Sequence, residues 1–180
     1  MRFVKFGVKR GMAITNDRTF DAIYATYAGL VRATIYKLCG GTELDDLVQE
    51  AFVKIWRGLD NFRGDSQVKT WVYRVAYNVA VDYLRQPARK MAATSDESPT
   101  MVQLASASHE EAYLYRDLVQ KGLLALTIDQ RAVLVLQILQ GLSLEQVAEV
   151  LEIPLGTVKS RLFTARQAMW DFLQLHGVKL

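Results

Sequence analysis

Three groups of side chains in this sequence have the types and spacing to do chemistry, and each suits binding. From Leu155 to Met169 there is no acidic residue, and a helical reading puts Thr157, Lys159, Ser160, Arg161, Phe163, Thr164, Arg166 and Gln167 on its outer or flanking faces. Guanidinium and ammonium groups reach guanine O6 and N7 or phosphate, and hydroxyls and amides bond either. Thr157 stands at the start of that helix, where free N–H groups and a hydroxyl can hold a phosphate. Farther upstream, Tyr73, Arg74, Tyr77, Asn78, Val81 and Arg85 fall on a second helical face. Aromatics interleaved with cations suit unstacked bases. The loop Asn61, Phe62, Arg63, Gly64, Asp65 and Ser66 precedes that helix and could hold an extruded base. The third group, Asp46, Gln49, Glu50, Val53 and Trp56, mixes polar and apolar side chains along one ridge, as a docking face does.

Catalysis finds less support. No convergent nucleophile, acid–base pair or metal cluster stands out, and the adjacent Asp45 and Asp46 do not share a helix face. With one cysteine, Cys39, and two distant histidines, His109 and His176, neither a disulfide framework nor a Cys/His zinc site is expected. Cys39 reads as packing. No catalytic residue, metal or cofactor is assigned.

The elements that must position these groups are helical. The chain has 180 residues, 51% of them hydrophobic, enough for one domain or two small ones. Its apolar runs fall far short of a membrane span, and Met1 to Gly11 lacks the apolar stretch of a signal peptide, so a cytoplasmic protein is expected. The net charge of +3 is weak evidence for nucleic acid, and the placement of the charges says more.

Phe20, Ile23, Tyr24, Tyr27, Leu30, Val31 and Ile35 follow helical spacing up to Gly40-Gly41. Thr42 is expected to cap a second helix with Leu44, Leu47, Val48, Ala51 and Ile55 inward, and Asp65 or Ser66 to cap a third that Pro87 ends. In the third helix Val68, Trp71, Val72, Val75, Ala76 and Val79 form the inward stripe; Trp71 and Trp56 are assigned to the core. Residues from Gln86 to Glu110, rich in Ser, Thr, Pro and acid, read as a mobile connector between domains. Beyond it, Thr127 to Gln130 and Ser143 to Gln146 have capping-box form, and Gly141 ends a helix between them. The segment Ser143 to Met169 is then a capped helix, a tight turn and a second amphipathic helix, the pattern of a helix-turn-helix. No strand-like alternation occurs, so the expected fold is all-α.

At this point a family resemblance appears. The runs Leu44 to Phe52, Leu59 to Ser66 and Thr70 to Ala76 resemble region two of bacterial RNA polymerase sigma factors, in particular the extracytoplasmic-function (ECF) group. Gly141 to Ser143 and Pro154 to Leu162 resemble region four of the same group. The resemblance implies two small helical domains: an N-terminal tail over 1–16, region two over 17–86, a linker over 87–110 and region four over 111–180. It implies docking on the clamp of the largest polymerase subunit through Asp46, Gln49, Glu50 and Val53. Single-stranded minus-ten DNA would fall to Asn61, Phe62, Arg63, Asp65, Ser66, Tyr77 and Asn78. Duplex minus-thirty-five DNA would fall to Thr157, Lys159, Ser160, Arg161, Phe163 and Arg166, with region four also touching the flap of the second-largest subunit. An anti-sigma factor is a further implied partner. Thr164 departs from the basic residue that many members carry there, the basic tail has no assignable motif, and the short segment after Trp170 leaves no room for a further regulatory domain.

Two other functions fit parts of the pattern. A helix-turn-helix repressor or activator would bind a palindromic duplex unaided, but gives the acidic ridge and the aromatic-basic helix no task. An enzyme on nucleic acid would need the catalytic set that is missing.

Overall fold

A computed structural model describes residues 16–62, 67–86 and 107–178. Arg63, Asp65, Ser66, the N-terminal tail and the centre of the connector lie outside them. Among the described residues seven α-helices follow in order: α1 Asn16–Cys39, α2 Leu44–Gly58, α3 Val68–Arg85, α4 Ala107–Ala125, α5 Ile128–Leu134, α6 Leu144–Leu151 and α7 Leu155–Leu175. A single 3₁₀ turn, Leu59–Asn61, extends α2, and a wider π turn, Val135–Leu139, extends α5. The described residues contain no strand.

Helices α1 to α3 close around Ile23, Val31, Ile35, Leu47, Ala51, Ile55, Val72, Ala76 and Val79, all on the inward stripes expected from their spacing, and around Phe52, which the spacing did not mark. Gly40, at φ 84°, ends α1 in the left-handed conformation that glycine adopts without strain. The cap of α2 differs from expectation. Glu43, not Thr42, is the flanking residue, at φ 55° and without a side-chain cap bond, while the Thr42 carbonyl accepts from the Tyr83 hydroxyl at 3.2 Å. The α2 N-terminus relies instead on Asp45 and Asp46 in its first turn, favourably placed toward the helix dipole. Gln86 is extended, as a residue before proline should be, and ends α3.

In the second half both expected capping boxes form, Thr127 with Gln130 and Ser143 with Gln146. Gly141, at φ 69°, turns the chain out of the π turn. Helix α6, a turn at Glu152 to Pro154 and α7 complete the helix-turn-helix, with Val158, Leu162 and Ala165 buried inward.

The two halves share a core. Leu38, Tyr73 and Ala80 belong to the same buried cluster as Leu123, Val133, Leu136, Val147 and Val150. Arg131 is buried there, donating to the Leu38 carbonyl of the first half and to the Leu124 and Leu126 carbonyls at 2.8 and 2.9 Å. Gln120 donates across the same boundary to the Tyr36 carbonyl at 2.9 Å.

Candidate nucleic-acid and docking surfaces

Helix α2 presents Asp46, Gln49, Glu50, Val53 and Trp56 as one exposed ridge. Val53 is 39% and Trp56 47% exposed, so Trp56 is a surface residue and not core. The reason is geometric: Ala51, Phe52 and Ile55 take the buried stripe, and Trp56 falls one residue beyond it. Tyr24 of α1 packs on Phe52 at 4.6 Å between ring centres and is itself half exposed, widening the apolar part of the ridge. Lys54 bridges Glu50 at 3.0 Å and Asp82 of α3 at 3.2 Å, while Asp45 pairs with Arg32. Asp46 and Gln49 stay at the surface.

The aromatic-basic face of α3 divides in two. Asn78 and Arg85 are exposed and Arg74 and Tyr77 partly so, but Tyr73 is only 1% exposed and Val81 is buried as well. Tyr73 was expected to face outward; the second half covers it, and its hydroxyl donates to the Gln140 side-chain oxygen at 3.1 Å. Burial, helped by the nearby Tyr27, pushes the Tyr73 phenol up to about 12. Burial also raises the Tyr77 phenol, with Asp129 adding to the rise and Arg161 and Arg85 opposing it. Tyr77 therefore lies within the field of Arg161 on the helix-turn-helix.

Just before α3, Asn61 closes the 3₁₀ turn and Phe62 packs against Trp71 with ring centres 5.0 Å apart. Gly58 makes this possible, since a Cβ there would come within 2.8 Å of the Trp71 ring. The loop residues Arg63, Asp65 and Ser66 fall outside the described residues.

On α7 the outer face is as expected for Lys159, Ser160, Phe163, Thr164, Arg166 and Gln167, all exposed, and Phe163 is 73% exposed. A phenylalanine so exposed between cations on a helix suits contact with a thymine methyl. Thr157 is half-buried in the first turn, its N–H bonded to the Pro154 carbonyl at 2.9 Å. Arg161 is flanking, tied to Asp129 of α5 at 2.8 Å, and Arg166 reaches the Gln137 amide oxygen at 3.3 Å. The α5 residues Asp129 and Arg131 escaped the sequence reading; an arginine directly before the apolar run Ala132 to Leu136 was the available signal. Arg74 also has partners not foreseen, the Glu149 carbonyl at 2.7 Å and the Glu152 carboxylate at 3.3 Å.

No group of three or more potential metal-ligating side chains occurs among the described residues, and no helix among them is long and apolar enough to cross a membrane.

Comparison with known proteins places these surfaces in context. Residues 23–90 match the family model for Sigma-70 region 2, and residues 116–169 that for Sigma-70 region 4. The chain is 34% identical over 169 residues to the ECF RNA polymerase sigma-E factor of Escherichia coli strain K12, covering 88% of each protein. It is 35% identical over 179 residues to the RNA polymerase sigma-H factor of Pseudomonas aeruginosa, covering 93% of this chain and 90% of that one. Among solved structures, the sigma factor RpoE in complex with the anti-sigma factor NepR from Bartonella quintana superposes with a TM-score of 0.69 at 26% identity, over 87% of this chain and 98% of that one. CnrH in complex with the cytosolic domain of CnrY gives 0.67 at 25% identity, over 91% and 92%.

Proposed function

The chain belongs to the ECF group of RNA polymerase sigma factors, non-enzymatic initiation factors that bind core polymerase and direct it to promoters, and from that membership we propose which of its residues do each part. Residues 17–86 form region two, 87–110 the linker and 111–180 region four. The ridge Asp46, Gln49, Glu50 and Val53 docks on the clamp of the largest subunit, with Trp56 as its apolar anchor. Asn61, Phe62, Arg63, Asp65, Ser66, Tyr77 and Asn78 take the minus-ten element as a single strand. Thr157, Lys159, Ser160, Arg161, Phe163 and Arg166 hold the minus-thirty-five duplex, and region four meets the flap of the second-largest subunit. An anti-sigma factor holds the protein inactive, in line with the complexes of the two structural relatives, and the protein works in the cytoplasm.

One observation carries the docking assignment: α2 leaves a continuous ridge of acid, amide, valine and tryptophan uncovered while the second half buries the neighbouring face of α3. Charged and apolar groups together on one rigid helix suit a partner surface better than solvent. Replacing Asp46 and Glu50 together with lysine should abolish binding to core polymerase with helical content unchanged. Tight binding by that variant would overturn the assignment. Transcription from a pool of promoter fragments by the wild-type holoenzyme then yields the promoter motif.

A further inference from the structure

Helices α1 and α4 meet at a cleft of about 420 Å³, within the size range of small-molecule sites. Tyr36 and Lys37 line it from the last turns of α1, and Tyr115, Arg116, Asp117 and Gln120 from α4. None of these residues belongs to the surfaces assigned above. Gln120 is only 8% exposed, and its amide nitrogen donates to the Tyr36 carbonyl at 2.9 Å, tying one wall to the other. The oxygen of the same amide accepts no hydrogen bond among the described residues, which leaves it for a ligand N–H.

The side chains at the mouth are uncommitted. Tyr36 is 38% and Tyr115 53% exposed, and neither ring packs on another aromatic ring among the described residues. Lys37 and Arg116 likewise pair with no carboxylate there. Lys37 has a local reason for its place, since a cation in the last turn of a helix meets the negative pole of the dipole. Arg116 stands in mid-helix and has no such reason. Asp117 would oppose an anion, but Lys121 neutralises it at 2.9 Å. The cleft therefore offers two free cations beside two open rings.

Tyrosine rings stack on a base, cations bind phosphate oxygens, and an amide oxygen accepts from a base edge. A simple anion would leave the rings uncovered, and an uncharged aromatic would leave the cations unused. Single-strand grooves carry cations along several nucleotides, whereas this cleft holds a pair. We propose that the cleft between α1 and α4 is a nucleotide-binding site, with the base against Tyr36 and Tyr115 and the phosphates on Lys37 and Arg116.

The test is equilibrium dialysis of the full chain against ATP and GTP, with adenosine, guanosine and inorganic tripolyphosphate as separate probes. One nucleotide should bind per chain, at least about tenfold more tightly than its nucleoside or tripolyphosphate. Tyr115→Ala and Arg116→Ala alter exposed side chains, so each should weaken nucleotide binding about tenfold with helical content unchanged. No binding of either nucleotide at about 1 mM overturns the site. Affinity that neither substitution lowers puts the nucleotide elsewhere and overturns it as well. Tripolyphosphate or a nucleoside binding as tightly as the nucleotides shows a general anion patch or a bare stacking surface, and overturns nucleotide recognition. A short oligothymidylate that binds more tightly than either nucleotide, and loses affinity in both variants, makes the cleft a strand site and overturns the assignment.

Discussion

Asp129 in the first turn of α5 holds the Arg161 guanidinium of the recognition helix α7 at 2.8 Å. The pair lies inside the second half and does not depend on how the halves are arranged. It fixes the direction of a long side chain that would otherwise sample many rotamers, and it offsets part of the charge that Arg161 can offer to DNA. Asp129→Ala should therefore relax base discrimination in the minus-thirty-five element about two- to fivefold, while the freed cation makes binding more salt-dependent by about one phosphate contact. Transcription from templates with single base changes, repeated at several salt concentrations, measures both. If discrimination is unaltered, Arg161 does not read bases.

The docking ridge makes a different prediction. Val53 and Trp56 are exposed, so removing them sacrifices little packing within the chain. A tryptophan centred among polar groups is the usual anchor of an interface and is worth about 2 kcal/mol or more when truncated. Trp56→Ala should weaken core binding at least about tenfold and shift the melting temperature by less than about 2 °C. A large thermal loss would instead place Trp56 in the fold.

Trp56 and Tyr73 show where the sequence was legible and where it was not. Helical spacing located α1, α2, α3 and α7, and the capping boxes that open α5 and α6 were visible residue by residue, because caps depend on neighbours in the chain; α4 begins at Ala107, inside the stretch read as connector. The face of α3 was harder. Its inward stripe predicted burial of Val72, Ala76 and Val79, which holds. Periodicity cannot say that a second domain will cover the opposite face, and so Tyr73 and Val81 were placed outward. Trp56 shows the converse, since residue type argued for core while its position one step past Ile55 argued for surface. Glu43 displaced Thr42 as the flanking residue of α2, its backbone at φ 55°.

Arg131 is a cation enclosed by carbonyls. Its partners close the ends of α1 and α4, and one of them belongs to the other half of the molecule. Arg131→Met keeps the apolar stem but leaves those carbonyls without their donor. Each buried acceptor so stranded costs about 1–3 kcal/mol, reduced wherever water can enter. A loss of roughly 3 kcal/mol in urea unfolding is expected, with α4 and the end of α1 losing amide-exchange protection first. Unchanged stability would mean that water replaces the guanidinium without cost.

The Tyr73 phenol gives the contact between the halves a dependence on alkaline pH. Its pKa is pushed from the ordinary value near 10 up to about 12, first by burial and then by Tyr27. An acid whose pKa is higher in the closed chain than in the opened one supports closure fully below the lower value and withdraws that support as pH rises toward the upper. The window is therefore about pH 10 to 12. Scattering across it should show wild type expanding as the exposed phenolate becomes the favoured form. Tyr73→Phe cannot ionise, so its remaining expansion reports the other titrating groups, including Tyr77 and Tyr27, whose phenols burial also raises. Below pH 10 the same variant lacks the bond to Gln140, worth about 1 kcal/mol, and should be slightly more open than wild type. Wild type and Tyr73→Phe expanding together with the same pH profile would show that Tyr73 does not change its surroundings when the halves part.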